Sequence, residues 1–360
     1  MKYRFLPSDN NVKIYGRTIM QEGCRILCTS GSGIEFEYTG TGLEITFLGD
    51  SSTHSENSYV NWRDSARIQV CVDGRVMLDT TIKKDKETYT ICEENVGLPN
   101  EKHVVKIIKL SEPRMSLVAV GEIVVQAEEA PLPTSYKEKY VEFIGDSITC
   151  GYGVDTEDEL CPFSTGTENV TKAYAFLAAN ELNMDYSMVS YSGHGLVSGW
   201  TPDCNVPNLN ELVQPYYDIT AYSYNTFRDI KSQEIAWGFE RIPDVIVINL
   251  GTNDFSYTQR DASKMKEFEN AYVQFIHKVR GINTKSHIIC SLGIMGNELF
   301  ATISNAVDLY RNQFGDSNVS TFEFTVQTPE IDGYAADYHP SAATHVKAAV
   351  QMAEELKKWI

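Results

Sequence analysis

Four short runs in the sequence carry the groups that acyl transfer requires. Gly145-Asp146-Ser147-Ile148-Thr149 sets a hydroxyl immediately after the apolar run Tyr140-Val141-Glu142-Phe143-Ile144. Serine is a weak nucleophile at neutral pH, so Ser147 needs a base for its proton and donors for the charge that forms on attack. Asp337-Tyr338-His339-Pro340 supplies the base. The glycines of Ser190-Tyr191-Ser192-Gly193-His194-Gly195 bring a backbone N–H close to a developing oxyanion, and Gly251-Thr252-Asn253-Asp254 adds a side-chain amide. Removing one such donor costs ~10²–10³ in kcat, so a cluster of this kind would account for much of a rate enhancement. Each run alone is an ordinary turn or cap.

Their positions depend on what precedes them. From about residue 136 strand-like runs at 140–144, 185–190, 244–250, 286–292 and 320–326 alternate with helical stretches, which predicts a parallel five-stranded sheet covered on both faces. Ser147, the 190–195 loop and Asn253 each follow such a strand, and ligands of open α/β sheets bind at the carboxyl ends of the strands. Helical spacing is clear at 171–182 and in Met265, Phe268, Tyr272, Phe275, Ile276 and Val279, with Gly281 read as ending that helix. The last helix, from about Ala342 to Trp359 with Ser341 as N-cap, is expected to bury Val346, Ala349, Val350, Ala353 and Leu356. Up to about Val125 the pattern is two-residue periodic, in runs such as 34–38, 43–47, 66–72, 88–92, 104–110 and 117–125, which predicts an all-β sandwich or jelly roll. The stretch 127–135, with Pro131 and Pro133 and no apolar face, reads as a connector.

Composition narrows the class. With 42% hydrophobic and 22% charged residues over 360 positions, the chain is a globular protein long enough for two domains. A net charge of −18 repels phosphate backbones and anionic bilayers, so neither nucleic acid nor a membrane is an expected partner. The beginning lacks the apolar core of a secretory signal, and eight scattered cysteines show no paired ligand spacing; a cytoplasmic location with free thiols is expected. No metal site and no cofactor are expected, and a homo-oligomer is possible. His54, His103, His277 and His287 read as surface or satisfied residues, His345 as structural, while His194 lies in the glycine loop. Tyr338 and Trp200 are candidate substrate contacts through their ring faces; for Tyr216 and Tyr217 the core is the better reading.

Taken together, Gly145-Asp146-Ser147, Ser192-Gly193, Gly251-Thr252-Asn253-Asp254 and His339-Pro340 resemble the SGNH (GDSL-type) hydrolases, in family order. More narrowly, the run 145–153, the Ser-Gly-x-Gly loop and the β-rich N-terminal part are similar to carbohydrate esterase family 2, acetyl xylan esterase-like enzymes. The resemblance implies a jelly-roll domain over 1–130, a linker at 131–139 and an SGNH catalytic domain over 140–360. It implies Ser147 as nucleophile and His339 as base, with the N–H groups of Ser147 and Gly193 and the amide of Asn253 as oxyanion hole. The superfamily places an aspartate three residues before the histidine, where this chain has Ala336. Asp337, two before, is taken as the third triad member, with a Ser-His dyad oriented by a backbone carbonyl as the alternative. The implied activity is removal of O-acetyl groups from an oligo- or polysaccharide through an acyl-serine. A lipid or thioester hydrolase on the same machinery, or a non-catalytic carbohydrate-binding protein, are the alternatives.

Overall fold

The two-residue alternation early in the chain folds into antiparallel strands. The computed structural model describes residues 2–53, 64–92 and 101–360, and His54 lies outside them. Eleven strands form the first sheet: β1 (Lys2–Phe5), β2 (Lys13–Tyr15), β3 (Thr18–Gln21), β4 (Cys24–Leu27), β5 (Gly33–Gly49), β6 (Arg67–Val72), β7 (Arg75–Thr81), β8 (Glu87–Cys92), β9 (Glu101–Lys109), β10 (Val118–Ala127) and β11 (Leu132–Pro133). β5 is its spine, pairing with β2, β8, β9, β10 and β11. The runs 34–38 and 43–47, expected as two strands, are therefore one. Gly40 keeps the pairing intact between them: a Cβ there would lie 1.9 Å from the Gln126 carbonyl oxygen, so only glycine lets β10 approach. Ile34, Phe36, Ile45 and Phe47 point from β5 into the core of this unit. The proline-bearing connector is partly structured, because Leu132 and Pro133 pair with Glu37 and Phe36.

This first unit comprises Met1–Tyr136 together with two later segments, Ser164–Glu168 and Ile219–Ala236. Within it, Thr165 Oγ1 donates to Ser65 O at 2.7 Å and Arg17 donates to Ile219 O at 2.6 Å, which ties both segments to the strands. His103 is buried with Nδ1 2.7 Å from the Asp73 carboxylate.

The second unit, Lys137–Phe163, Asn169–Asp218 and Trp237–Ile360, holds the parallel sheet. Its strands are β12 (Tyr140–Gly145), β13 (Asp185–Ser190), β14 (Val245–Asn249), β15 (His287–Leu292) and β16 (Val319–Glu323), in the order β13-β12-β14-β15-β16. Its helices are α1 (Ser147–Cys150), α2 (Tyr174–Glu181), α3 (Thr252–Thr258), α4 (Ala262–Ile282), α5 (Phe300–Phe314), α6 (Pro329–Asp332) and α7 (Ala342–Leu356). The chain leaves β12 toward β13 and returns to β14 on the other side. α2 packs with α7 and α4 packs with α5, the grouping expected when crossovers of one hand wind outward from β12 in both directions. β14 and β15 are buried along their whole length, as strands covered on both faces must be.

Two helix details differ from expectation. α4 runs through Gly281 to Ile282, with Asn283 as its cap. On α7 the buried stripe is His345, Ala348, Ala349, Met352, Ala353 and Leu356, while Val346 and Val350 are about half exposed at 54% and 51%. The stripe is rotated by one position because His345 turns inward, its Nδ1 accepting the Tyr174 N–H at 3.2 Å. His287 is buried, with Nε2 2.8 Å from Ser320 Oγ, while His277 is exposed and stacks on the exposed Phe314.

α4 is capped by Asp261, whose carboxylate accepts the N–H groups of Ser263 and Lys264 at 2.9 and 3.0 Å. Asp261→Ala should lower stability by ~1 kcal/mol in denaturant titration while kcat on a small ester stays unchanged, since the cap serves the helix alone.

Candidate active site

The sheet reverses its winding between β13, β12 and β14, and the loops leaving those three strands carry Gly193, Ser147 and Asn253. This is the switch point at which an open α/β sheet forms a crevice.

Ser147 is fixed by a turn built for it. Asp146 is the N-cap of α1, its carboxylate accepting the Ile148 N–H at 3.0 Å, and Gly151 closes this single turn in the left-handed region (φ 75°). Gly145 is needed because Thr149 folds back over it; a Cβ there would sit 2.1 Å from Thr149 Oγ1. Ser147 Oγ lies 2.9 Å from His339 Nε2. Among the described residues no main-chain carbonyl takes the N–H of Ser147 or of Gly193.

His339 is held from its other side by main chain. Its Nδ1 lies 3.1 Å from Asp337 O and 3.2 Å from Ala336 O. Carbonyl oxygens only accept, so Nδ1 must carry the proton and Nε2 must offer its lone pair to Ser147. The carboxylate of Asp337 is not part of this contact; its Oδ2 accepts the Tyr152 hydroxyl at 3.4 Å instead. Asp337 and Tyr338 both occupy the left-handed region (φ 53° and 60°), a conformation that non-glycine residues rarely adopt and that turns the Asp337 carbonyl onto the imidazole. Ala336, where a superfamily aspartate was expected, is fully buried against Gly153: a Cβ on that glycine would come 2.3 Å from the Ala336 Cβ. Burial holds the His339 imidazole below the ordinary histidine range, opposed by the Asp337 carbonyl, the Asp337 carboxylate and the Ala336 carbonyl. Tyr152, which no local sequence pattern marks out, stacks on the imidazole with centroids 4.0 Å apart and planes at 22°.

The third loop hangs from α3. Asn253 Nδ2 donates to His194 O at 2.9 Å and, at a longer 3.3 Å, to Asp146 Oδ2. The next residue, Asp254, is fully buried and accepts three consecutive N–H groups, from Leu196, Val197 and Ser198, at 2.8, 2.7 and 3.2 Å. Gly195 makes room for it, since a Cβ there would lie 2.7 Å from Asp254 Oδ2. Asp254 thus shapes the loop that carries Gly193, a role that only its place beside Asn253 hinted at. Burial pushes the Asp254 carboxyl up to about 6 against the pull of those N–H groups. It pushes Asp146 up to about 7, with the charge of Asp254 adding to the rise.

The remaining candidates are distributed as follows. Trp200 and Tyr338 are exposed, at 58% and 48%, and the main-chain N–H of Trp200 donates to Gly193 O at 2.8 Å. His194 is buried with Nδ1 2.9 Å from Ser192 O. Tyr217 is a core residue whose hydroxyl donates to Glu142, and Tyr216 packs on Tyr191 and His194.

The family model described as GDSL-like Lipase/Acylhydrolase matches residues 141–352, and that described as Carbohydrate esterase 2 N-terminal matches residues 14–134. The chain is 30% identical over 339 residues to the Cellulase/esterase CelE of Acetivibrio thermocellus, a match covering 91% of this chain and only 38% of that protein. It is 25% identical over 361 residues to an Acetylxylan esterase / glucomannan deacetylase of Cellvibrio japonicus, covering 98% of this chain and 89% of that one. A solved family two carbohydrate esterase from Clostridium thermocellum, in complex with cellohexaose, superposes with a TM-score of 0.78 at 27% identity, over 97% of this chain and 100% of that one.

With main chain orienting the imidazole, Asp337→Asn should keep kcat on an acetate ester within about tenfold of the parent, while His339→Ala should be close to inactive. A fall of ~10⁴ for Asp337→Asn would place the carboxylate on Nδ1, as in a serine-protease triad. Since burial disfavours the imidazolium, kcat/KM should hold its plateau below pH ~6.5, the ordinary histidine value, and fall only at more acidic pH.

Proposed function

Since the chain belongs to the GDSL-like lipase/acylhydrolase family and, with its N-terminal unit, to the family 2 carbohydrate esterases, we propose that it removes O-acetyl groups from a carbohydrate through an acyl-serine. The observation that carries this reading is the 2.9 Å contact between Ser147 Oγ and a His339 Nε2 whose lone pair is directed at it.

The steps follow from that contact. Ser147 Oγ attacks the ester carbonyl while its proton passes to His339 Nε2; the carbonyl oxygen becomes an oxyanion. The N–H groups of Ser147 and Gly193 and the amide of Asn253 receive that charge. The longer of the two Asn253 bonds, to Asp146, is the one an oxyanion displaces. His339 then returns the proton to the departing sugar oxygen, leaving acyl-Ser147. Water attacks in turn, giving its proton to Nε2, and collapse of the second tetrahedral species releases acetate and returns the proton to Ser147.

The solvent-facing rings of Trp200 and Tyr338 support a carbohydrate as the alcohol half of the ester, as does the cellohexaose bound by the Clostridium thermocellum relative. Eight thiols without a disulfide support a reducing compartment and thus short, imported oligosaccharides.

The test is acetate release from acetylated xylo-, manno- and gluco-oligosaccharides set against esters of longer acids. Acetylated oligosaccharides should be turned over faster, and Ser147→Ala should lose at least ~10³ in kcat without a change in melting temperature. Preference for long acyl chains would instead indicate a lipid or thioester hydrolase, and turnover of no ester a binding protein. Trp200→Ala or Tyr338→Ala should lower kcat/KM on the oligosaccharide by about tenfold and leave an aryl acetate nearly unaffected. Equal losses on both substrates would remove the two rings from the sugar site.

A further inference from the structure

His339 must become an imidazolium twice in each turnover, yet its Nδ1–H faces carbonyl dipoles and not a carboxylate. Those carbonyls fix the tautomer and favour the charged form in part; a group covering the ring face would add to both effects. Among the described residues, Ser147 from α1 and Tyr152 from the turn after α1 contact the imidazole, and the Asp337 side chain from its own turn and His345 from α7 act on it electrostatically. His345 is of no help: burial drives it down to about 3, so it is neutral, and protonating it would oppose the charge on His339. The Asp337 carboxylate acts only through space. Tyr152 covers the ring itself, at 4.0 Å and 22°, and is backed by Phe163 with centroids 4.9 Å apart. The face of an aromatic ring carries negative potential and attracts a cation lying on it within about 6 Å.

We infer that Tyr152 is a positioning residue for the base: its ring clamps His339 in the plane that aims Nε2 at Ser147 and stabilises the imidazolium formed there. The tyrosine hydroxyl, by donating to the Asp337 carboxylate at 3.4 Å, keeps that charge beside the ring and not on Nδ1. Gly151 and Gly153, both in the left-handed region (φ 75° and 60°), bracket Tyr152 and fix its place over the base. The inference rests on His339 being the base of the proposed reaction.

The variants that test it are Tyr152→Leu, which keeps an apolar cover and removes the π face, and Tyr152→Phe, which keeps the face and removes the hydroxyl. On a small aryl acetate, Tyr152→Leu should lose ~3- to 30-fold in kcat with little change in KM, the loss expected when a desolvated cation–π contact is removed. The acid limb of its kcat/KM profile should move to lower pH by about 0.5–1 unit, because the imidazolium loses its partner. Tyr152→Phe should recover most of both effects. A mere packing role would lower stability without moving the limb. A limb that stays in place in Tyr152→Leu, or equal losses in Leu and Phe, overturns the inference.

A second readout needs neither a variant that folds nor any turnover. In the proton NMR spectrum of the unaltered protein, the His339 ring protons should lie upfield of ordinary histidine positions, shifted by the tyrosine ring current. Ordinary positions would mean that the stack does not form in solution. Inactivity on all esters with upfield ring protons would reject the esterase reading while leaving the clamp in place.

Discussion

The orientation of one imidazole governs everything else in the catalytic unit. His339 stands between a hydroxyl and two main-chain carbonyls, and because carbonyls cannot donate, its tautomer is dictated without an acidic partner. That solution requires two consecutive non-glycine residues in the left-handed region, at an intrinsic cost of ~1–2 kcal/mol each. Local structure holds the turn there. The Ala335 N–H donates to His339 O at 2.8 Å, the His339 N–H donates to Ala336 O at 3.0 Å, and Tyr334 bridges to Pro340. Ala336 is packed against Gly153 in the loop that carries Tyr152. Nucleophile loop and base loop are thus a single packed object.

Around that object the sheet supplies position and two buried carboxylates supply rigidity. β12, β13 and β14 deliver three loops to one crevice because the winding reverses there. Asp146 caps the Ser147 turn and reaches Asn253; Asp254 gathers three N–H groups of the Gly193 loop. Buried carboxylates are costly unless hydrogen-bonded, and these two are engaged by groups that belong to the site. Their raised proton affinity means that the stability they add by binding protons is full below about pH 4 and is lost as pH rises through about 6 and 7. The site is built at some expense to the fold at neutral pH.

Much of this was legible in residue order. Apolar strands followed by Gly-Asp-Ser, Ser-Gly and Gly-Thr-Asn-Asp declare where a parallel sheet ends and what stands at its edge, and the alternating pattern before residue 125 declares an antiparallel unit. Three things were not legible. Residue types do not announce that Asp337 would turn left-handed and contribute a carbonyl, since only glycine advertises that region. The stacking of Tyr152 on His339 joins positions far apart in sequence, and nothing local to either encodes it. The buried stripe of α7 includes a histidine whose inward turn depends on the Tyr174 N–H of another helix, so Val346 and Val350, apolar by type, face outward. Fold followed from local pattern; the chemistry depends on backbone conformation and distant pairing.

In the resting protein Nδ1 of His339 carries the proton. A long-range proton–nitrogen correlation spectrum of the protein with ¹⁵N-labelled histidine, recorded above the His339 titration, reads the tautomer directly. His339 should show a protonated Nδ1 and an unprotonated Nε2. A proton on Nε2 would leave Ser147 without an acceptor and contradict the carbonyl-held base.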